Sequence, residues 1–311
     1  MVDKIKELAR SLLSEGKVDV IIAYGQGSFP FRSIPIFIEK AEDVDKIIFN
    51  SFCYHNLAKY IPQEREKKIG IVALGCTARS LSILLQERQI DRENLYIIGV
   101  ACPGMIDFNK LAPKVNLRLV KEIREEGEEL VILPQGIKLP RKDFLYKSCS
   151  VCSYPTPLLY DELLGEKREG QLAFPDVEEM EKLSLEERKN YLDERFALCI
   201  RCFACRLSCP SCYCKECFAE SLLPRFVSHQ ITTEDNRLFH LNRAMHLAGR
   251  CVSCGECLRA CPLNIPMFDL HRKLEKSVYE LYQYVSGIDP SQPPLLATYS
   301  PKDPDLEGEQ R

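Results

Sequence analysis

The sequence lacks most of the features that would point directly to a function. It has no excess of charge of either sign: 42 Lys plus Arg stand against 45 Asp plus Glu, a net charge of -3, which leaves no electrostatic footprint for nucleic acid or an anionic membrane. No apolar run approaches the ~20 residues needed to span a bilayer, so no direct membrane span is expected and any membrane link would come through a partner. The opening stretch, Met1-Val2-Asp3-Lys4-Ile5-Lys6-Glu7-Leu8, has no apolar core of the kind a secretion signal carries, and a cytoplasmic protein is expected. There is no Ser/His/Asp set, P-loop or paired-carboxylate site. The five histidines, His55, His229, His240, His246 and His271, form no i, i+4 pair around a carboxylate or cysteine, and no catalysis is assigned to them.

What the chain has in quantity is cysteine, 16 in 311 residues. In a compartment that keeps thiols reduced, so many are not a disulfide framework, and metal is the remaining use. Cys199, Cys202, Cys205 and Cys209 with Pro210 follow the spacing Cys-x2-Cys-x2-Cys-x3-Cys-Pro, and Cys251, Cys254, Cys257 and Cys261 with Pro262 repeat it. Two copies are the ligand pattern of a ferredoxin module with two 4Fe-4S clusters. Three thiolates two residues apart can wrap three iron corners, and the fourth reaches across to the cluster of the other motif. Cys199, Cys202, Cys205 and Cys261 are therefore assigned to one cluster, and Cys251, Cys254, Cys257 and Cys209 to the other. Zinc also takes Cys-x2-Cys pairs, but as two pairs, and has no use for a third Cys at the same step.

Length allows about two domains. Ile5, Leu8, Ala9, Leu12 and Leu13 share one helical face ahead of Gly16. Residues 18–24 read as a buried strand running into the loop Gly25-Gln26-Gly27-Ser28, which has two of the three glycines of a dinucleotide fingerprint, with Pro30 where the helix should follow. A strand over 33–39 and a helix over 41–50 come next. Strands at 69–74 and 95–101, with a helix over 77–89 between them, indicate an α/β layer with a mainly parallel sheet. Cys76 and Cys102 stand at the carboxyl ends of those two strands, where ligands of open α/β sheets lie. A last pair of strands is expected at 117–120 and 129–133, followed by the single Cys-x2-Cys of Cys149 and Cys152.

The expected organisation is an α/β N-terminal domain over 1–164, a polar linker over 165–183, a C-terminal all-α (helical) ferredoxin-like domain over 184–286 and an extended Pro-rich tail over 287–311. The helical domain is read from the Ser184/Glu187 capping box and from helices over 236–247 and 266–282 that lead into and away from the cysteine motifs. Phe268, Tyr279, Tyr282 and Tyr284 in the last helix read as packing.

The stretches Ala73-Leu74-Gly75-Cys76-Thr77-Ala78-Arg79-Ser80, Ile98-Gly99-Val100-Ala101-Cys102-Pro103-Gly104 and Ser148-Cys149-Ser150-Val151-Cys152, together with both ferredoxin motifs, resemble the beta-subunit family of coenzyme F-420 hydrogenases and dehydrogenases. That family includes beta subunits of some formate dehydrogenases. The resemblance implies an iron–sulfur flavoprotein: FAD in the α/β domain exchanges a hydride with a soluble carrier of deazaflavin or nicotinamide type, and 4Fe-4S clusters pass single electrons to a partner subunit such as a formate dehydrogenase, a hydrogenase or a heterodisulfide-reductase-like protein. The backbone of Gly25, Gln26, Gly27 and Ser28 would approach the flavin pyrophosphate, with Arg32 to neutralise it. The resemblance also brings Cys76 to the site of Cys149 and Cys152, with Cys102 or Cys53 as fourth ligand of a third cluster. Cys212, Cys214 and Cys217 then lack one partner for a fourth, which Cys53 or Cys102 would supply; zinc or plain packing is the alternative for these three. A second reading of the whole is an electron-transfer relay subunit without a substrate site of its own.

Overall fold

The computed structural model describes residues 1–228 and 230–295. His229 and the tail from 296 on, including Pro301 and Pro304, lie outside the described residues. Internal contacts divide the chain into two units, Met1–Ala78 with Gln89–Leu172, and Arg79–Arg88 with the described residues from Ala173 on.

The first unit is built on a five-stranded sheet in the order β2-β1-β3-β4-β8, with β1 Val20–Gln26, β2 Ser33–Ile38, β3 Ile69–Ala73, β4 Leu95–Val100 and β8 Glu162–Leu164. β1, β3, β4 and β8 run parallel, and β2 alone pairs antiparallel, on the outer side of β1. Every residue of β3, and all of β1 but its last, is buried. A parallel sheet covered on both faces requires such unbroken apolar strands, so the expected mainly parallel α/β layer is present. Helix Val2–Ser14 buries Ile5, Ala9 and Leu12, the stripe read from the sequence.

Two expectations change here. The helix expected over 41–50 is a short 3-10 turn, Ala41–Lys46. The last strand pair is instead a separate three-stranded antiparallel sheet of β5 Glu122–Glu126, β6 Glu129–Leu133 and β7 Ile137–Pro140, while Leu117–Leu119 is a 3-10 turn capped by Asn116. The sequence hides β5 because Glu122, Arg124, Glu125 and Glu126 make it almost wholly charged and Ile123 is its one apolar residue. β6 carries the apolar residues, and its Leu130 and Ile132 pack with Phe31, Phe52, Ile106 and Phe144 in a second small core.

The second unit is helical, with helices Pro175–Glu181, Leu185–Ala197, Thr233–His246 and Met267–Tyr282. The first of these lies within the stretch expected as linker. The capping box at the start of the second is present: Ser184 Oγ accepts from Glu187 N at 3.2 Å and Ser184 N donates to Glu187 Oε2 at 2.7 Å. Helix Gly75–Gln86 counts with the first unit at its start and with the second from Arg79. Phe268 and Tyr284 are buried, as packing residues should be, and His240 lies between Phe196 and Phe239 with ring centroids at 4.8 and 4.9 Å. Among the described residues no helix is long and apolar enough to cross a membrane.

Buried charge ties the second unit together. Arg79 donates to Glu275 Oε1 at 3.3 Å, to Ser286 O at 2.9 Å and to Val252 O at 3.2 Å. Arg272 donates to Glu275 Oε2 at 2.6 Å and forks onto Asp176 at 3.1 and 3.2 Å. Glu275→Leu would deprive the buried Arg79 and Arg272 of a shared carboxylate, a loss of roughly 3–5 kcal/mol for a broken buried network. Chemical denaturation of anaerobic protein should show that drop, while Lys182→Ala, which opens an exposed pair with Glu179, should cost under about 1 kcal/mol.

Candidate metal centres and cofactor cavity

The two ferredoxin motifs adopt the same backbone, position for position. Arg201 and Phe203 in the first have φ of 47° and 58°, and Ser253 and Gly255 in the second have 53° and 77°. After each left-handed residue comes a single helical turn, Ala204–Leu207 or Glu256–Arg259, that carries the third cysteine of its motif. The left-handed residue two places after the first cysteine turns its amide back, so that Arg201 N donates to Cys199 Sγ and Ser253 N to Cys251 Sγ, both at 3.4 Å. Glycine suits a positive φ and phenylalanine does not. Phe203 is held there by Phe239, edge-on at 5.3 Å, with Arg206 over its ring at 5.2 Å.

The thiols sort into groups. Cys199 has Cys261 and Cys202 as charged-state neighbours, and Cys205 has Cys199, Cys261 and Cys202. Cys254 has Cys209, and Cys257 has Cys209 and Cys254 and also Cys205. The last cysteine of each motif is thus brought beside cysteines of the other, Cys261 by Cys199 and Cys205, and Cys209 by Cys254 and Cys257. Burial first, and then the neighbouring thiols, push Cys257 up to about 12; burial followed by Glu256 pushes Cys254 up to about 11. Such a set ionises together only if positive charge enters among it, as ligation to iron supplies. Thiol donors in threes, a fourth from the other loop and backbone amides aimed at sulfur fit a cubane at each group. Among the described residues no three His, Cys, Asp or Glu are gathered as round a single ion.

A third group lies in the first unit, at the carboxyl ends of β3 and β4. Cys102 has Cys149 and Cys152 as neighbours, and burial, then Cys149, push its thiol up to about 12. Cys102 N donates to Pro155 O at 2.9 Å, and Gly104 N to Cys102 Sγ at 3.3 Å. Gly75 presses against the same segment: a Cβ on it would stand 1.9 Å from Tyr154 O, so only glycine fits. Cys76 follows directly, its carbonyl accepting from Asn56 Nδ2 at 3.4 Å.

Arg141, which sequence reasoning missed, clamps this corner. It is 6% exposed and donates to Pro103 O at 2.5 Å, to Gly104 O, to Ser51 Oγ at 2.8 Å and to Glu125 Oε2 at 3.3 Å. Nothing local in Pro140-Arg141-Lys142 marks it, because its partners are 16 to 90 residues away. Beside the clamp opens a cavity of about 400 Å³ lined by Phe49, Ser51, Pro103, Met105, Glu125 and Arg168, in the size range of small-molecule sites.

The remaining candidates are placed differently from one another. Cys53 is fully buried, its sulfur accepting from Asn50 N at 3.3 Å with Ile48 O at 4.0 Å; burial pushes it up to about 12, and its recorded neighbours, Asn50, Ile48, Ser33 and Glu125, include no cysteine. Cys212 contacts Cys209 and Arg243, Cys217 contacts Arg206, and Cys214 is exposed, so these three face different surroundings.

The loop Gly25-Gln26-Gly27-Ser28 is the start of a hairpin turn between antiparallel β1 and β2, with Gly27 N donating to Arg32 O at 2.9 Å. Gln26 Nε2 is spent on loop carbonyls, Phe29 O at 2.7 Å and Gly27 O and Arg32 O at 3.3 Å, and the Arg32 guanidinium lies 6.0 Å from the Phe108 ring. The fingerprint reading required a helix after β1; the chain instead reverses, so the glycines serve the turn.

The chain thus combines a parallel-sheet unit with thiols at its strand ends and a helical unit with two repeated thiol loops. Over nearly its whole length the chain is similar to two known proteins. One is "F420-dependent formate dehydrogenase subunit beta" of Methanocaldococcus jannaschii, 26% identical over 94% of this chain and 93% of that one. The other is "F420-dependent formate dehydrogenase 1 subunit beta" of Methanococcus maripaludis, 24% identical over 96% and 93%. These relatives bear out the resemblance read from the motifs. No protein-family profile matches. A solved structure of the F420-reducing [NiFe] hydrogenase complex of Methanosarcina barkeri aligns at 18% identity and a TM-score of 0.38 over 47% of this chain and 58% of that one, a likeness too slight to bear on the fold.

Gly75→Ala would drive the Tyr154–Pro155 segment away from Cys76 and Cys102. Anaerobic protein with that substitution should lose about four irons, one cubane, relative to wild type, and elemental analysis reads the loss directly. Unchanged iron would show that the third thiol group is not a cluster site.

Proposed function

We propose that the chain is an iron–sulfur flavoprotein subunit of an oxidoreductase complex, of the kind its relatives are named for: the beta subunit of an F420-dependent formate dehydrogenase. The observation that carries the reading is the third thiol group. Cys102, Cys149 and Cys152 are gathered, with Cys76 in the first turn of the adjoining helix, beside a cavity at the carboxyl edge of a parallel sheet, the edge at which open α/β sheets hold their ligands.

In this reading Cys199, Cys202, Cys205 and Cys261 hold one cubane of a helical ferredoxin-like unit, and Cys251, Cys254, Cys257 and Cys209 hold the other. Cys76, Cys102, Cys149 and Cys152 hold a third. Cys53, whose sulfur packs against Asn50 and Ile48, is left out of this ligand set, and the divergent surroundings of Cys212, Cys214 and Cys217 count against a fourth cluster. The cavity by Arg141 is the place for FAD, which when bound converts a two-electron hydride exchange with a soluble deazaflavin into single-electron steps. The protein's own part is to hold the Pro103–Gly104 carbonyls through Arg141 and to present Ser51 and Glu125 at the cavity wall. A partner subunit, the formate dehydrogenase catalytic chain by the relatives' names, supplies or takes the electrons.

The hairpin at Gly25 favours a second reading, because the loop first expected at the flavin pyrophosphate is closed on itself. In that case the chain is an electron relay without a substrate site. Acid extraction of anaerobic, fully iron-loaded protein decides between them: about one flavin per chain is expected, and none would leave the relay. Cys209→Ser should damage the cluster of Cys251, Cys254 and Cys257 and spare the one nearest in sequence, as resolved by electron paramagnetic resonance; the opposite pattern would mean uncrossed ligands.

A further inference from the structure

Arg243, on helix Thr233–His246, is a buried cation without a buried anion of its own. It is 3% exposed. Its Nη2 donates to Cys205 O at 2.9 Å, its Nη1 lies 3.0 Å from His271 Nε2, and its Nε has no hydrogen-bond partner. The groups whose charge acts on it are Cys209, Cys212, Cys257 and Cys205. No carboxylate is among these partners.

The contrast with Arg272 is direct. That side chain, equally buried, has Asp176 and Glu275 as ion-pair partners. His271 does not change the account, because burial, then Arg243 itself, hold its pKa down to about 3; the ring is neutral and offers Nε2 as an acceptor. An unpaired guanidinium in a protein interior is strongly unfavourable, and among the described residues the groups of opposite charge that act on Arg243 are thiols. Cys205 belongs to one thiol group, Cys209 and Cys257 to the other.

We propose that Arg243 is the shared counter-charge of the two clusters in the helical unit and sets the reduction potential of both, an inference that rests on the cluster reading above. A fixed positive charge stabilises the more negative, reduced state of a cluster and so raises its potential. Each cluster gains or loses one electron; no bond is made or broken, and Arg243 keeps its proton throughout. Acting on both groups at once, it raises both potentials together.

The test uses anaerobic full-length protein with its native partner, wild type against Arg243→Gln and Arg243→Lys. Iron is quantified, and the potentials are read by titration followed with electron paramagnetic resonance. Arg243→Gln keeps a donor for the Cys205 carbonyl but no charge, and should shift the oxidised-to-reduced equilibrium of both clusters at least tenfold toward oxidised, which is about 59 mV more negative for one electron. Arg243→Lys should stay within about threefold of wild type. Loss of iron from the Gln variant alone would also support the need for charge. Unmoved potentials in the Gln variant, movement of one cluster only, an equal shift in both variants, or loss of iron from both would each overturn the proposal. Wild-type protein without cubanes would instead remove the cluster reading beneath it.

Discussion

A charge taken out of water must find its opposite nearby, and the helical unit is arranged around that requirement. Two guanidiniums, Arg79 and Arg272, meet two carboxylates, Glu275 and Asp176, and the four close electrically among themselves. Ser253 Oγ also donates to Glu275 Oε2, at 2.5 Å, which fastens the loop of the second cysteine motif to this network. Arg79 also donates to Val252 O, so the loop of the second motif is held by the ion-paired residues at two points. Helices alone would not position the cysteine loops so closely, because Ala204–Leu207 and Glu256–Arg259 are single turns with little surface to pack.

The first unit solves a different problem. Its parallel strands end in loops that must approach one another, and the approach is made by backbone: Gly75 against Tyr154, Cys102 N on Pro155 O. Side chains reach in from outside the sheet to fix the result, above all Arg141 from the end of β7. Thiols on separate segments are thereby brought near one another beside a cavity.

Much of this was legible in the sequence where the signal is local. The buried strands of the parallel sheet, the capping box at Ser184 and both cysteine motifs depend on residues within a few positions of one another. The reading was open where one local pattern serves two ends. A strand followed by Gly-x-Gly suits a phosphate loop and a plain turn equally, and the chain makes it a hairpin. Cys53 was grouped by residue type, and its sulfur packs against Asn50 and Ile48. Strand β5 escaped notice because nearly all of it is charged, and Arg79, Arg141 and Arg243 because each acts through partners tens to hundreds of residues away.

The paired cysteine loops share little besides their cysteines and prolines: Ile-Arg, Phe-Ala and Arg-Leu-Ser in one stand where Val-Ser, Gly-Glu and Leu-Arg-Ala stand in the other. Their left-handed positions nevertheless coincide, even where one has phenylalanine and the other glycine. What is repeated is therefore a sequence of backbone angles and the direction in which the amides point. In this protein the unit of duplication is a conformation, and the side chains between the thiols are its variable dress.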